Sequence, residues 1–369
     1  MKKRNLLELF LVFAVIGMVF SSCKKDDVEP EEKKGEVEYH DLGGFYITNE
    51  GQFGKGNGSI SFYNSEKDVV FNDVFKDKNG RIIGDVVQSI AIVGQKAVIC
   101  VNASNKIIIT KAIDMEQVSE IVVSKPRYAI QINDTIAYVS SWSNKVFVVN
   151  VNQGKVVKEI AVGNSPERMK KVGDKVFVAN SGNDYNVGGD KTISVININS
   201  LMVEKTISSE YFCPVAFASE SENYIWALYQ GKVKGYDVNW QPTGHEPSYA
   251  IKIDVAAGTI VKSVKLFDDK HPANLVINNE KTELILGSGY GFVGLYKLPT
   301  STEVISKSPF INNDFYGFDL NPKTGNIIGF VSVSPGDTKM IRYKADGTMI
   351  KDYQVGYYGN GAAFKKRSN

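Results

Sequence analysis

Apolar residues occur along most of this chain in short runs rather than in long stretches. β-Branched and aromatic residues dominate the runs, as in Lys145–Asn150 and Lys155–Ile160, and Gly, Asn and Asp separate them. From Asp41 onward no long segment has the 3.6-residue period of an amphipathic helix. The pattern predicts an almost all-β chain of short strands joined by tight turns.

The runs recur with a fixed period. Pro126 begins a unit of four predicted strands, Pro166 begins a second such unit, and 40 residues separate the two prolines. A period of about 40 residues with four strands per unit is the sequence signature of a propeller blade. We therefore predict that residues 41–369 form an all-β, seven-bladed β-propeller with four-stranded blades.

Counting these units along the chain gives six blades and two fragments. The predicted blades are Val86–Ile121, Pro126–Ala161, Pro166–Ile207, Pro214–Leu266, Ala273–Ser306 and Tyr316–Val355. Phe45–Phe75 supplies three further strands and Gly361–Phe364 supplies one. We expect the last strand to complete a seventh blade with the first three, because such closure removes the open sheet edges that invite aggregation.

The repeat resembles that of YVTN/YncE-like propellers. The resemblance rests on the opening Pro, on Tyr138–Ser141 and Phe177–Asn180, and on the Val-rich strand with Gly154–Val157 after it. It is strong over residues 126–207 and weaker, but traceable, from 41 to 364.

The first residues form a targeting segment. Residues 2–4 are basic, Leu9–Phe20 is apolar but shorter than the roughly 20 residues that span a bilayer, and Cys23 follows two serines. We predict a lipoprotein signal peptide over residues 1–22 and acylation of Cys23. Phe20 stands where a lipobox usually has Leu, and the alternative is an ordinary signal peptide beside an incidental Cys.

Residues 23–40 are charged and are predicted to form a disordered, lipidated tether. Lys24–Asp27 resembles the surface-export tag of Bacteroidota lipoproteins, which implies an outer-membrane protein exposed on the cell surface. Removing residues 1–22 takes away three basic residues and one acidic residue, so 43 basic and 41 acidic residues become 40 of each. A chain with no net charge has no electrostatic footprint for nucleic acid.

The two predicted faces of the ring differ in composition. With strands A to D numbered from the axis outward, the A–B and C–D turns are short and polar. The B–C and D–A loops are longer and carry most of the exposed rings: Phe53, Trp142, Tyr185, Tyr236, Trp240, Tyr290, Phe292, Tyr128, Tyr211, Phe212, Phe315, Tyr316, Tyr357 and Tyr358. Some of these rings could instead pack between blades. The asymmetry nevertheless favours a binding surface on the second face.

We expect a ligand over the central axis of that face. The predicted binding residues are Arg127, Tyr128, Trp142, Arg168, Tyr185, Phe212, Tyr290 and Tyr316, with Trp240 reaching in from the long insertion Gln230–Pro247. Aromatic rings offer large contact area, and arginine offers directional hydrogen bonds.

Catalytic and metal-binding patterns are weak. The three histidines, His40, His245 and His271, do not share metal-ligand spacing. Asn183–Asp190 resembles the start of a calcium loop, but Val195 stands where the bidentate Glu would be. No nucleophile elbow or phosphate-binding loop is present. We therefore expect neither an enzyme nor a resident cofactor or metal.

The combination resembles the Bacteroidota surface lipoproteins that capture cobalamin and pass it to a TonB-dependent outer-membrane transporter. The Asn49–Gly51 turn and the Gly-rich closing segment extend the resemblance. It implies cobalamin as ligand, with a glycan, a peptide or another nutrient as alternatives. A lactonase-like hydrolase and an adhesive or protein-interaction propeller are the other functions that the sequence leaves open.

Overall fold

Seven small antiparallel sheets follow one another around a central axis, so the chain is a seven-bladed β-propeller, as predicted. The computed structural model describes residues 44–182, 188–289, 291–332 and 337–364. The predicted signal peptide (1–22), its Cys23 and the tether (23–40) lie outside these residues. No helix in the described ranges is long and apolar enough to cross a membrane.

The first strands belong to the closing blade, which we call blade 7. They are β1 (Phe45–Asn49), β2 (Ser59–Asn64) and β3 (Val69–Phe71), followed by the short helix α1 (Val74–Asn79). Blade 1 is β4 (Val87–Val93), β5 (Lys96–Val101), β6 (Lys106–Lys111) and β7 (Gln117–Val122). Blade 2 is β8 (Pro126–Gln131), β9 (Ile136–Ser141), β10 (Lys145–Asn150) and β11 (Lys155–Ala161).

Blade 3 is β12 (Pro166–Val172), β13 (Lys175–Asn180), β14 (Thr192–Asn197) and β15 (Met202–Ser208). Blade 4 contains β16 (Pro214–Ser219) and β17 (Tyr224–Tyr229), a separate hairpin of β18 (Lys232–Tyr236) and β19 (Pro242–Glu246), then β20 (Ser248–Asp254) and β21 (Thr259–Phe267). The predicted long insertion is therefore a β-hairpin.

Blade 5 is β22 (Asn274–Ile277), β23 (Glu283–Gly287) and β24 (Leu295–Pro299). Its outer position is occupied by an irregular segment, which bonds the backbone of β24 through Ser306, Phe310 and Ile311. Blade 6 is β25 (Phe315–Leu320), β26 (Ile327–Ser332), β27 (Thr338–Tyr343) and β28 (Met349–Val355), and β29 (Gly359–Phe364) ends the described chain.

Burial explains why the strands differ in composition. The middle strands are covered on both faces by neighbouring blades, so β5 and β6 are runs of buried Val, Ile and Cys. Cys100 in β5 is fully buried, as expected for a core residue. The outer strand β7 alternates between exposed and half-buried positions, because only one of its faces packs against protein.

Ring closure joins the two ends of the chain. β29 is the innermost strand of blade 7 and pairs with β1, with Phe364 opposite Phe45. β29 also contacts the innermost strands of both neighbouring blades, β25 and β4. The prediction that three N-terminal strands and one C-terminal strand form a single blade is confirmed.

Helix α1 was not foreseen from the sequence. It buries only Val74 and Phe75, and Gly80, with a φ of 66°, ends it by donating its N–H to the Lys76 carbonyl at 2.8 Å. Six residues with two apolar positions are too few to produce a helical period.

Candidate functional site

The innermost strands begin on the face formed by the B–C and D–A loops, and most of them begin with a register shift. Shifts occur in β4, β8, β12, β16, β25 and in the β29–β1 pair. A bulge of this kind leaves a residue unpaired and redirects its side chain. The residues passed over by the ladder are Gln88, Arg127, Tyr128, Glu167, Arg168, Val215, Tyr316 and Asn360.

These bulges bring one group of side chains together near the start of the innermost strands. Hydrogen bonds join most of its members, and a contact with the Tyr128 ring joins Arg168 to them. We call this group the axial cluster: Glu50, Gln88, Arg127, Tyr128, Trp142, Glu167, Arg168, Tyr316 and Asn360. Of the nine predicted binding residues, five belong to it: Arg127, Tyr128, Trp142, Arg168 and Tyr316.

The side chain of Arg127 donates more hydrogen bonds than that of any other member of the axial cluster. Its Nε lies 3.2 and 3.3 Å from the two carboxylate oxygens of Glu167, and its Nη2 lies 3.1 Å from Oε2. Its Nη1 donates to the Gln88 side chain. Burial acts to lower the pKa of Arg127, but Glu167, Tyr128 and Glu50 together outweigh it, so the pKa is raised and the group stays charged. Arg127 and Glu167 therefore form a buried ion pair.

Trp142 is fixed by the same pair. Its Nε1–H donates to Glu167 Oε1 at 2.8 Å, and the Arg127 guanidinium lies 4.1 Å from its ring centroid. The ring is half-buried rather than free on a loop. Trp142 thus has a structural role in addition to any contact with a ligand.

Glu50 connects the closing blade to its neighbours. Its carboxylate accepts hydrogen bonds from Tyr316 Oη at 2.6 Å, Asn360 Nδ2 at 2.7 Å and Gln88 Nε2 at 3.3 Å. Gln88 Nε2 also reaches the Tyr128 hydroxyl at 3.3 Å. Partial burial, followed by the Glu50 charge, raises the pKa of Tyr316, so this phenol stays a donor.

Arg168 differs from Arg127 in its partners. Its guanidinium lies 4.5 Å from the Tyr128 ring centroid and donates one hydrogen bond, at 3.2 Å, to the Ala273 carbonyl. Among the described residues, no carboxylate lies within ion-pair distance of it. Arg168 therefore has donors left for an anionic group.

Asp319, in the innermost strand of blade 6, interacts electrostatically with the charge of Arg168. Burial raises the pKa of Asp319 to about 6, although the Ala362 N–H, 2.7 Å from Oδ2, and Arg168 both act to lower it. A carboxyl group with this pKa is partly protonated near pH 6.

The remaining predicted binding residues lie apart from the axial cluster. Phe212 lies in the loop before blade 4, with the ammonium groups of Lys191 and Lys232 at 4.0 and 4.4 Å from its ring centroid. Trp240 is 80% exposed at the tip of the blade 4 hairpin and contacts the Tyr236 ring. Tyr185 and Tyr290 lie outside the described residues, as does most of the segment Asn183–Asp190, which resembles the start of a calcium loop.

Not every aromatic residue of the loop face is available to a ligand. Phe292 and Phe315, expected among the loop rings, are 2% and 0% exposed. Phe292 packs between blades 4 and 5, and Phe315, which is the first residue of β25 rather than a loop residue, packs between blades 5 and 6. Tyr316, Tyr357 and Phe53 remain exposed.

Five residues at or beside the site were not among those predicted from the sequence: Glu50, Gln88, Glu167, Asp319 and Asn360. Glu167 carried a usable signal, because Pro166-Glu167-Arg168 occupies the repeat position of Pro126-Arg127-Tyr128. Among the described residues, no three His, Cys, Asp or Glu side chains are grouped to hold a metal ion. His245 and His271 do meet, with Nδ1 of the first 2.9 Å from Nε2 of the second.

Comparison with known proteins supports the fold. A chain of the Kuenenia stuttgartiensis hydrazine synthase is similar, with a TM-score of 0.60, 16% sequence identity, and coverage of 75% of this chain and 90% of that one. At this identity the likeness concerns the fold alone. None of the curated proteins matches the chain in sequence. The model of one family, described as a domain of unknown function (DUF5074), matches residues 43–364, so the chain belongs to the DUF5074 family.

Proposed function

We propose that this protein is a ligand-binding propeller whose site lies over the axial cluster. The observation that carries the proposal is the set of bulges at the starts of the innermost strands, which point charged and aromatic side chains at one place. Bulges cost ladder hydrogen bonds and are typical of binding and active sites. Five separate shifts at equivalent positions supply residues to the cluster, which favours a common use.

A binding role fits the cluster better than a catalytic role. Glu50 already accepts three hydrogen bonds and Glu167 accepts bonds from both Arg127 and Trp142. Carboxylates held in this way are poor general bases, since their lone pairs and their charge are already engaged. The unused hydrogen-bonding capacity in the cluster belongs to Arg168, whose guanidinium is a donor. We therefore propose a ligand with an anionic group that reaches Arg168 and an apolar or aromatic part that packs on Tyr316 and Tyr358, whose rings lie 5.4 Å apart.

For the identity of the ligand we propose cobalamin, or another nutrient, handed to a TonB-dependent transporter. Support comes from the sequence resemblance and from chemistry, since cobalamin combines a phosphodiester with a large amide-bearing ring system. Acylation of Cys23 and cell-surface exposure belong to the same proposal. Gly44 and Phe364 both lie at the A–B and C–D side, because β1 and β29 pair antiparallel with Phe45 opposite Phe364.

The test is a binding screen of the soluble chain, residues 41–369, against cobamides, glycans and peptides, followed by titration of variants. We expect Arg168→Gln and Tyr316→Ala each to weaken binding by on the order of 2 kcal/mol, or about thirtyfold. Asp174→Ala, an exposed turn residue on the other face, is the control and should bind as the wild type does. If Asp174→Ala weakened binding and the two cluster variants did not, the binding site would lie on the opposite face of the propeller.

A second candidate is a protein-interaction propeller, and the hairpin of blade 4 favours it. Tyr236, Val238 and Trp240 at its tip are 56%, 95% and 80% exposed. A protruding apolar tip of this kind is typical of a contact with another protein. Cross-linking on intact cells, with the wild type and Trp240→Ala compared, separates the two candidates. If Trp240→Ala loses a cross-linked protein partner but keeps its ligand binding, the result supports the second candidate.

A further inference from the structure

The blade 4 hairpin is attached at its base on two sides. On one side Lys232 Nζ donates to the Gly188 carbonyl and lies over the Phe212 ring. On the other side His245, in β19, meets His271, in the loop that leads to blade 5. The tip residues Asp237–Gln241 form hydrogen bonds among themselves in the described part of the chain. The base contacts therefore set the direction of the hairpin.

The two imidazoles meet edge to edge. Nδ1 of His245 lies 2.9 Å from Nε2 of His271, the ring planes differ by 26°, and the ring centroids are 5.2 Å apart. The centroid separation equals the N–N distance plus two ring radii, so the two nitrogens point at each other. This in-line arrangement fits a shared proton, whereas two ligands of a tetrahedral metal would converge on it at an angle.

Neighbouring groups fix the tautomers of the pair. His271 Nδ1 lies 3.0 Å from the Gln230 carbonyl, which can only accept, so Nδ1 carries a proton and Nε2 of the neutral ring is an acceptor. His245 Nδ1–H is then the donor. Gln230 Nε2 in turn donates to the His271 carbonyl at 3.1 Å, which holds the loop in place.

From this geometry we infer that the His245–His271 hydrogen bond is a proton-operated latch on the blade 4 hairpin. One added proton can reside on His245, which still donates to His271. A second proton must occupy His271 Nε2, and two N–H groups then face each other, so the contact breaks. Burial lowers the pKa of His271 while the latch is closed. Proton uptake and opening therefore favour each other as the pH falls below the usual range of histidine.

Other charged groups near the latch already have partners or act weakly. Glu246, beside His245, pairs with Lys234 across the hairpin at 3.3 Å. Asp268 pairs with Lys265, and Lys270 lies 3.4 Å from the Tyr296 hydroxyl. Asp269 acts to raise the pKa of His271, but its effect is smaller than that of burial. Among the described residues, the His245–His271 hydrogen bond is therefore the contact between the hairpin and the ring that a second added proton would break.

Hydrogen–deuterium exchange tests the latch without any ligand. In the wild type at about pH 7.5, corrected for intrinsic rates, the peptide 232–246 should be protected, and at about pH 4.5 it should lose protection about fivefold. Peptide 248–267, in the main sheet of blade 4, is the internal control and should not change. His245→Ala and His271→Gln should show the low protection at both pH values.

Two outcomes would overturn the inference. Equal protection of the wild-type hairpin at both pH values would show that the contact does not open. A pH-dependent loss that persists in both histidine variants would assign it to other groups. Any effect of the latch on Trp240 and a bound ligand rests on the proposed function, but this experiment does not depend on it.

Discussion

Removing Glu167 should destabilise the ring far more than removing an exposed carboxylate. The Arg127 and Glu167 side chains are only 13% and 7% exposed, and three Arg127 N–H contacts and the Trp142 N–H converge on the carboxylate. In Glu167→Leu the Arg127 charge stays buried with Gln88 as its remaining hydrogen-bond partner. Breaking a buried pair in this way costs about 3–5 kcal/mol of unfolding free energy.

The exposed pair Lys145–Glu159 is a matched control. Its N–O distance, 2.7 Å, is shorter than the 3.1 Å of Arg127–Glu167, but its side chains are 44% and 51% exposed. Glu159→Leu should therefore change stability by less than about 1 kcal/mol. Burial, rather than distance, is expected to determine the difference between the two variants.

A double-mutant cycle separates the pair from its surroundings. In Arg127→Leu/Glu167→Leu no buried charge is left unpaired, so the double variant should be more stable than Glu167→Leu alone by about 2 kcal/mol. Urea unfolding followed by far-ultraviolet circular dichroism gives these values, provided that the slope with denaturant is unchanged. Equal costs for Glu167→Leu and Glu159→Leu, or simple additivity in the cycle, would refute the reasoning.

Three further predictions concern pH and closure. Asp68 binds Lys351 at 2.8 Å and the Tyr353 hydroxyl, which hold its pKa well below its usual range. The stability that Asp68 contributes is present above about pH 4 and is lost as the pH falls. The melting temperature of Asp68→Asn should therefore change less between about pH 5 and pH 2 than that of the wild type. The pKa of Asp319 is raised to about 6, so the contribution of this residue to wild-type stability should fall as the pH rises from about 4 to about 6. In Asp319→Asn this decline should disappear, with a gain of up to about 3 kcal/mol near pH 7.5 in urea unfolding. Deleting Gly359–Phe364 should lower the melting temperature of the whole chain and deprotect blades 1 and 6 in hydrogen exchange, whereas an unchanged melting temperature would contradict closure.

The fold could be predicted because each blade repeats the same local pattern. The prolines of blades 2 and 3, the Val-rich middle strands and the polar turns are all visible within a single unit. The closing blade followed from counting strands, since three at one end and one at the other leave no alternative partner. Helix α1 and the irregular outer segment of blade 5 depart from the repeat, and their sequences carry no period to identify them.

The axial cluster was only half predictable, because its contacts run between repeats rather than along loops. Arg127 and Glu167 are 40 residues apart, as are Gln88 and Tyr128, and this separation is the repeat period itself. Residues one period apart occupy equivalent bulges on adjacent innermost strands, so they are neighbours around the axis. A search of the loops for arginines and rings finds Arg127 and Arg168 but misses Glu167 and Gln88, which begin strands and resemble ordinary strand residues. Comparing the same position across successive repeats would have placed Glu167 beside Arg127 and left Arg168 without an acidic neighbour. That difference between two arginines, one paired and one open, is what the proposed binding of an anionic ligand rests on.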